Sequence, residues 1–241
     1  MNAPHEKTWA LVTGASRGIG QAIVQKLLDH GWNVIACSRK MDESHNPKQT
    51  SSSSQLLTFR CNIADPIQVE TMFRKIDELA IPLQVLVNNA GIGIFAPFEE
   101  LTLDDWDRVM NVNARGCFHC SREAFLRMKK HGHGGHIINI ASVVALKGYT
   151  NQAIYTASKH AMLGLARVIA KEGQPYNIRC STICPGGVAT DMVRAARPDL
   201  DERELIAPED IAETVLFLLS QPNRVATDLI QLRRGNSLPD F

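Results

Sequence analysis

Short apolar runs alternate along this chain with longer segments whose apolar residues recur every three or four positions. The runs at 9–12 and 33–37 are almost entirely apolar, which predicts strands buried on both faces of a parallel sheet. The segment after Pro66 places Val69, Met72 and Phe73 on one stripe, which predicts an amphipathic helix. Further strands are predicted at 56–61, 85–87, 137–141, 177–184 and 228–232. The alternation predicts an α/β fold with a doubly wound parallel sheet of about seven strands flanked by helices.

Two segments depart from this pattern. Residues 41–54 are polar, with Asn46-Pro47 and serines at 51–54, and predict a mobile surface segment. Residues 191–204 form a short polar stretch that we expect to close over a substrate. No repeat or linker divides the array, so residues 1–241 are expected to form a single domain.

Two predicted helices carry features that deserve separate interpretation. The helical stretch from about residue 104 to 130 has Asn113 within its apolar stripe, and a buried amide must find hydrogen-bond partners. A later helix has Ala157 and Ala161 on one side and Met162 and Ala166 on another. A helix that is apolar on two sides is buried on both, so it predicts a helix–helix interface. We therefore expect a homo-oligomer, either a dimer or a tetramer.

Composition excludes several classes of partner. The 241 residues are 44% hydrophobic and 21% charged, with 26 Lys and Arg against 25 Asp and Glu and a net charge of +1. This balance offers no basic field for nucleic acid and no polybasic run for a membrane surface. No apolar stretch reaches the length of a membrane span, and the N-terminus lacks the apolar core of a signal peptide. We expect a cytoplasmic protein without nucleic-acid or membrane partners.

The cysteine and histidine patterns do not predict a metal site. The six cysteines are spread through strands and helices, which is typical of buried thiols in a reducing compartment. Cys117 and Cys120 match a CxxC pattern, but no second pair completes a zinc site. The histidines at 131–136 lie in a glycine-rich loop without carboxylates or cysteines nearby, so we interpret the segment as a helix-to-strand connection.

The first strand runs into the sequence Thr13-Gly-Ala-Ser-Arg-Gly-Ile-Gly20, and an amphipathic helix follows. Gly14 allows a sharp turn, and Gly18 and Gly20 leave room for a pyrophosphate to approach the backbone. The anion then lies at the helix N-terminus, where free N–H groups and the helix dipole favour negative charge. A strand, a glycine turn and a helix in this order predict a single-domain Rossmann fold that binds NAD(P).

The end of the second strand indicates which dinucleotide is bound. An acidic residue there would accept hydrogen bonds from the adenosine ribose and select NAD, but this strand ends in Ser38-Arg39-Lys40. Arg39 and Arg17 together are suited to clamp a 2′-phosphate, so the sequence favours NADP(H) over NAD(H). The alternative is a pair of surface arginines without that role.

Tyr155 and Lys159 lie one helical turn apart, about 6 Å of rise, so both side chains leave the same face of the helix. A fixed ammonium group beside a phenol favours the phenolate and lowers its pKa. Such a tyrosine gives a proton to a developing alkoxide or takes one from an alcohol. Ser142 ends the fifth predicted strand, at the edge of a parallel sheet where ligands bind.

With these motifs in order, together with Asn88-Asn-Ala-Gly91, Asn113 and Pro185-Gly186, the chain resembles the short-chain dehydrogenase/reductase family. The resemblance is to the shorter-chain branch with TGxxxGxG and YxxxK motifs, and it covers nearly the whole chain. It implies an enzyme that acts on CH–OH groups with NAD(P) as acceptor. The implied catalytic residues are Asn113, Ser142, Tyr155 and Lys159.

The resemblance also implies a role for each of these four residues. Ser142 hydrogen-bonds the substrate oxygen, and Tyr155 exchanges the proton. Lys159 lowers the tyrosine pKa and holds the nicotinamide ribose, while Asn113 holds a water that relays protons. The glycine motif, the strand ends and the resemblance give the following expected cofactor-binding residues: Gly14, Ser16, Arg17, Gly18, Ile19, Gly20, Ser38, Arg39, Asn62, Ile63, Asn89, Ala90, Gly91, Tyr155, Lys159, Pro185, Gly186, Val188 and Thr190.

Two departures from the family pattern bear on the substrate. Many relatives have Asp where this chain has Asn62, and many end the last strand with paired glycines where this chain has Ile230-Gln-Leu-Arg-Arg-Gly235. This ending resembles the 3-hydroxy acid and serine dehydrogenase branch or broad carbonyl reductases. We expect NADP(H)-dependent interconversion of a ketone or aldehyde and an alcohol. The alternatives are 3-oxoacyl-(acyl carrier protein) reduction, 3-hydroxy acid or serine-type dehydrogenation, hydroxysteroid oxidation and, from another class, a non-catalytic dinucleotide sensor.

Overall fold

The computed structural model describes residues 8–42, 48–49, 54–197 and 200–238. The strands are β1 Trp9–Thr13, β2 Asn33–Ser38, β3 Lys48–Gln49, β4 Gln55–Arg60, β5 Leu83–Asn88, β6 Gly135–Ile140, β7 Ile178–Pro185 and β8 Leu229–Leu232. The helices are α1 Gly18–Asp29, α2 Pro66–Glu78, α3 Leu103–Met110, α4 Cys117–His131, α5 Ala153–Gly173, α6 Asp191–Ala196 and α7 Pro208–Ser220.

The described strands form one sheet in the order β3-β4-β2-β1-β5-β6-β7-β8. Seven of these strands are parallel, and the two-residue strand β3 pairs antiparallel with β4 at the edge. The predicted fold class is therefore confirmed. The strand order reverses between β1 and β5, which opens a crevice at their carboxyl ends, the usual ligand position in such sheets.

Apolar residues cover both faces of the sheet. One layer includes Phe73 and Met128 and lies under α2, α4 and α5. The other includes Ile23 and Val215 and lies under α1 and α7. Full burial of a side chain of this size stabilises the fold by roughly 1.5–3 kcal/mol. Two covered faces hold the strand ends rigidly, so the loops at those ends keep fixed positions.

Local capping sets the start of two helices. Asp65 accepts hydrogen bonds from the backbone nitrogens of Ile67 and Gln68, and Pro66 occupies the first turn of α2. Thr102 and Asp105 form a capping box at the start of α3. None of the helices in the described part of the chain is long and apolar enough to cross a membrane.

The long predicted helix at 104–130 differs from the structure at its centre. The helical path runs from Leu103 to His131, but Asn111–Gly116 forms a π turn between α3 and α4. A π turn inserts an extra residue into the turn and rotates the following stripe. Asn113 therefore points away from the surface and is fully buried.

The structure describes parts of the two segments that were predicted to lie at the surface, 41–54 and 191–204. Within 41–54, Lys48–Gln49 forms β3, while residues 43–47 and 50–53 lie outside the described residues. The predicted mobility of that segment stays a prediction. The polar stretch at 191–204 contains α6 and a single turn at Glu202–Glu204.

Candidate active site

The glycine turn after β1 brings the backbone of two loops into close contact. Gly14 has φ +66°, and a Cβ atom there would lie 2.7 Å from the Ala90 Cα. Gly18 has φ +55°, and its missing Cβ would lie 3.4 Å from Thr190 Cγ2. At Gly20 a Cβ would overlap the Asn89 side chain and the Gly14 carbonyl. At Gly14 and Gly20 the missing side chain allows this close approach, and at Gly14 and Gly18 the positive φ itself favours glycine.

Hydrogen bonds made by Thr13 and Asn89 hold the same two loops together. The Thr13 hydroxyl donates to the Val87 carbonyl and accepts from the backbone nitrogens of Asn89 and Ala90. The Asn89 side-chain nitrogen donates to the carbonyls of Thr13, at 2.9 Å, and Gly14, at 3.1 Å. Thr13 thus fixes the crevice between β1 and β5, a role that the sequence reasoning missed.

The N-terminus of α1 faces this crevice with its backbone donors available. Its cap residue Arg17 makes no side-chain capping bond, and the first turn carries no acidic residue. Uncapped N–H groups and the positive end of the helix dipole suit a phosphate. Together with the close approaches at the glycine turn, this arrangement fits the pyrophosphate of a nicotinamide dinucleotide.

The residues predicted for the adenosine end line the same cleft. Ser38 is buried at the end of β2, and Arg39 is exposed beside it. Among the described residues Arg39 has no carboxylate partner, whereas Arg17 forms an ion pair with Asp191 at the start of α6. Asn62 accepts a hydrogen bond from the Ala64 nitrogen at 3.2 Å. Arg17 and Arg39 line the same cleft, and the expected clamp on a 2′-phosphate stays a prediction.

Three hydrogen bonds to two residues, Ile92 and Ser158, hold the Asn113 side chain. Its side-chain nitrogen donates to the Ile92 carbonyl at 2.8 Å and to the Ser158 hydroxyl at 3.0 Å, and its oxygen accepts from the Ile92 nitrogen at 2.9 Å. The Ser158 hydroxyl in turn donates to the Tyr155 carbonyl at 2.7 Å. The buried amide that the sequence singled out thus connects the π turn, the loop after β5 and the helix that carries Tyr155.

Tyr155 lies in a dry environment at the start of α5. It is 9% exposed, and burial raises its pKa to about 12, while a hydrogen bond with the Ser142 side chain lowers the pKa in part. Ser142 follows β6 in extended backbone, and its hydroxyl accepts from the Val144 nitrogen at 3.3 Å. The structure thus brings Ser142 and Tyr155 within hydrogen-bonding reach.

Lys159 is buried one turn after Tyr155. Its ammonium donates to the Ile140 carbonyl at 3.0 Å and lies 5.6 Å from the centre of the Tyr155 ring. Burial lowers its pKa to about 8, although the nearby Cys117 and Cys184 thiols raise it in part. Burial is the largest influence on the pKa of Tyr155, and the expected lowering of that pKa by Lys159 stays a prediction.

Most of the residues predicted to bind the cofactor or to act in catalysis line one cleft of about 510 Å³. The predicted residues that line it are Gly14, Ser16, Arg17, Gly18, Ile19, Ser38, Arg39, Asn62, Ile63, Asn89, Ala90, Gly91, Tyr155, Lys159 and Thr190. Gly20, Asn113, Ser142, Pro185, Gly186 and Val188 lie outside this lining. In the loop after β7, the Val188 side chain is buried. The Val188 carbonyl accepts a hydrogen bond from the Thr190 hydroxyl at 3.3 Å, which stabilises the loop.

Several lining residues were missed from the sequence. The cleft is also lined by Lys40, Cys61, Ile92, Val112, Ile140, Ala141, Ala189, Asp191, Met192 and Arg194. These side chains belong to no sequence motif, and several lie at strand ends while Val112 is in the π turn and Asp191, Met192 and Arg194 are in α6. Among the described residues, no group of three or more His, Cys, Asp or Glu is arranged to hold a metal ion.

Comparisons with known proteins place this architecture in a family. The model of the short chain dehydrogenase family matches residues 8–201. A 3beta-hydroxysteroid dehydrogenase from Mediterraneibacter gnavus is 34% identical over 198 residues, which are 80% of this chain and 70% of that protein. A 3-oxoacyl-(acyl-carrier-protein) reductase, FabG, from Staphylococcus aureus is 34% identical over 229 residues, 90% of this chain and 93% of that protein.

A solved structure shares nearly the whole fold. It is an alcohol dehydrogenase from the archaeon Thermococcus sibiricus complexed with 5-hydroxy-NADP, with a TM-score of 0.86 and 25% identity. The match covers 97% of this chain and 99% of that chain. The family match spans the glycine turn, Ser142, Tyr155 and Lys159. Most of the glycine turn, Tyr155 and Lys159 line one cleft, and Ser142 lies next to Tyr155. The chain therefore belongs to the short-chain dehydrogenase/reductase family and is an oxidoreductase that acts on CH–OH groups.

Proposed function

We propose that this chain is an NADP(H)-dependent oxidoreductase that interconverts a ketone or aldehyde and the corresponding alcohol, with Tyr155 as the acid and base. One observation carries the proposal. Tyr155 and Ser142 lie close enough at the carboxyl edge of the sheet for the Ser142 side chain to lower the Tyr155 pKa, and Tyr155 lines a cleft with an uncapped helix N-terminus. A proton donor and an oxyanion-binding hydroxyl next to a dinucleotide cleft suit carbonyl reduction.

Each residue of the proposed active site has its own role, set by its position relative to the cleft. The Ser142 hydroxyl binds the substrate oxygen, and the Tyr155 hydroxyl gives that oxygen a proton in reduction or takes one in oxidation. Lys159 orients the cofactor ribose, and Asn113 fixes the Ile92 backbone beside it. When bound, the nicotinamide supplies or accepts the hydride. The cleft holds the dinucleotide through the glycine turn, Asn89 to Gly91 and Thr190, with Ser38 and Arg39 at the adenosine end.

Substituting Tyr155 by Phe tests this assignment. The change removes the hydroxyl while keeping the buried ring, so kcat for carbonyl reduction should fall by about 10²–10⁴-fold. NADPH affinity, measured by fluorescence titration, should stay nearly unchanged. Tyr176→Phe is the matched control because Tyr176 is 38% exposed and packs on Phe125. Retained turnover in Tyr155→Phe would remove Tyr155 as the proton donor.

The preference for NADP(H) rests on charge. Arg39 is exposed at the end of β2 without a carboxylate partner in the described part of the chain, and Ser38 is neutral. An unpaired guanidinium at this position favours a 2′-phosphate. The Thermococcus sibiricus relative is complexed with an NADP derivative, which supports the same choice.

The substrate alternatives come from the relatives. The FabG relative is named for 3-oxoacyl reduction and the Mediterraneibacter gnavus relative for hydroxysteroid oxidation. We favour a carbonyl reductase of small-molecule substrates and keep 3-oxoacyl and 3-hydroxy acid or serine-type substrates as alternatives. A non-catalytic dinucleotide sensor would not need the Ser142–Tyr155 pair and is therefore the weaker candidate.

The proposal also covers assembly, domain extent and location. On α5, Val168 is 52% exposed, and on α4, Phe118 and Leu126 are 48% and 45% exposed. Apolar side chains on two neighbouring helices suit a homo-oligomer, either a dimer or a homotetramer. A monomer by sedimentation at micromolar concentration would contradict this assembly.

We take residues 1–241 as one catalytic domain. The six free cysteines, all buried, support a cytoplasmic location.

A further inference from the structure

Phe95 lies in the loop after β5, and its ring packs against Tyr155. The two ring centroids are 5.6 Å apart and the planes meet at 72°, an edge-to-face contact. Such pairs contribute about 0.5–1.5 kcal/mol beyond the area that they bury. Tyr155 is 9% exposed, whereas Phe95 is half-buried. Phe95 is therefore part of the cover that separates Tyr155 from solvent.

Gly93 makes room for this ring. A Cβ atom at Gly93 would overlap the end of the Phe95 ring, with Cε2 at 2.8 Å and Cε1 at 3.1 Å. Gly93 is not among the glycines with positive φ, so its backbone conformation is open to any residue. The need for glycine here comes from the ring of Phe95. That ring is held between the Gly93 backbone on one side and Tyr155 on the other.

The loop that carries Phe95 is tied down at both ends. On the N-terminal side, Ile92 exchanges two hydrogen bonds with the buried Asn113 side chain. On the C-terminal side, the Ala96 nitrogen donates to the Asn151 carbonyl at 3.1 Å, in the loop just before α5. Since α5 carries Tyr155, these anchors fix Phe95 relative to the tyrosine hydroxyl.

We propose that Phe95 is a specificity-determining and positioning residue: its ring limits the substituent beside the carbonyl that approaches Tyr155 and keeps water from the tyrosine. This rests on the function proposed above. A reacting oxygen must come within about 2.6–3.2 Å of the Tyr155 hydroxyl, so a fixed neighbouring ring restricts what else fits there. The substrate class that follows is carbonyl compounds with one small, unbranched substituent.

Two independent variants displace the ring. Phe95→Ala deletes it, and Gly93→Ala pushes it aside through the new methyl group. Phe98→Ala and Gly148→Ala are the matched controls, because Phe98 is 80% exposed and a Cβ at Gly148 would meet nothing within 4 Å. Phe95→Leu keeps an apolar side chain and should retain most of the wild-type behaviour.

The first readout is selectivity between ethyl acetoacetate and ethyl benzoylacetate, which differ by methyl or phenyl beside the ketone. We expect the wild type to favour the methyl compound. Phe95→Ala and Gly93→Ala should shift the ratio of kcat/KM towards the phenyl compound by about tenfold or more, in line with pockets that discriminate by size. The controls should keep the wild-type ratio. A wild-type preference for the phenyl compound, or an unshifted ratio in both variants, would overturn the size limit.

The second readout needs no turnover. Burial raises the pKa of Tyr155 to about 12, so opening its cover should move its ionisation to lower pH in an ultraviolet titration of the free protein. Tyr149 and Tyr176, the other two tyrosines, are 44% and 38% exposed and are present in every variant. An unchanged titration in both folded variants would overturn the role of Phe95. If the wild type turned over neither ester, the function proposed above would lose support, and this titration would still decide the positioning role of Phe95.

Discussion

At the scale of single residues, burial decides the chemistry around Tyr155. Desolvation raises the pKa of Tyr155 to about 12 and lowers that of Lys159 to about 8, so burial shifts each group towards its neutral form while Lys159 stays mostly protonated at pH 7. The sequence indicated the pair and its spacing. The predicted lowering of the tyrosine pKa considered Lys159 alone and left out burial, which depends on how deeply α5 packs.

Arg39→Asp is the residue-scale test of cofactor choice. Reversing this charge should weaken NADPH binding by about tenfold or more, or about 1.4 kcal/mol, while NADH binding changes little or improves. Dissociation constants for both cofactors, measured side by side, give the result. Arg74→Asp on α2, paired with Glu78 and away from the cleft, is the matched control. Equal weakening of both cofactors by Arg39→Asp would refute the 2′-phosphate contact.

At the scale of elements, the glycine turn was predictable and the π turn was not. A strand, a glycine motif and an amphipathic helix have local signals, so their order is readable along the chain. Within 111–116 the polar Asn113 interrupts the apolar stripe, but ordinary helices also carry such residues, so nothing local distinguishes a π turn from an ordinary helix. Likewise, the ring of Phe95 meets Tyr155 only through tertiary packing, sixty residues later in the chain.

Gly14→Ala tests the close approach of the two loops. Both Gly14 and Gly132 have positive φ, at 66° and 72°, so alanine strains the backbone at either position. Only at Gly14 does the new methyl group meet another backbone, at 2.7 Å from Ala90 Cα, while at Gly132 nothing lies within 4 Å. We expect Gly14→Ala to lose NADPH binding and more stability than Gly132→Ala in chemical denaturation. Similar losses of stability and binding in both variants would show that strain alone matters.

At the scale of the whole molecule, a buried histidine links stability to pH. The Ser181 hydroxyl donates to the Thr227 carbonyl at 2.6 Å, so His136 Nε2, 2.8 Å from that hydroxyl, must be the donor to it. Burial, with a smaller effect of Arg179, lowers the His136 pKa from 6.5 to about 3. The neutral ring thus connects β6, β7 and the segment before β8.

The sign of the linkage follows from that shift. Between pH of about 6.5 and 3 the unfolded chain binds a proton at His136 that the folded protein does not, so stability falls as pH falls. The free energy of unfolding should lose up to about 1.4 kcal/mol per pH unit from this group. His136→Gln should flatten the slope, measured by urea unfolding across that range. His160→Gln on the exposed side of α5 should keep the wild-type slope, and equal slopes in all three proteins would contradict the assignment.

The sheet and its order of elements followed from hydrophobic periodicity, since strands buried on both faces and helices with one apolar stripe are distinctive. Tyr155, Lys159 and most predicted cofactor residues line one crevice because parallel strands end at the same edge of the sheet. Thr13, Ile92 and Arg194 have roles that depend on long-range contacts, and no spacing along the chain encodes them.

The most direct test of the central claim is NADPH oxidation by the purified protein with a panel of carbonyl compounds. The panel includes 3-oxo esters, 3-oxoacyl thioesters, 3-oxo acids, α-dicarbonyls, sugars and steroid ketones. We expect carbonyl-dependent oxidation of NADPH with at least one class, and its loss in Tyr155→Phe despite retained NADPH binding. A protein that binds NADPH but oxidises it with none of these carbonyls, or whose Tyr155→Phe variant turns over normally, would contradict the account.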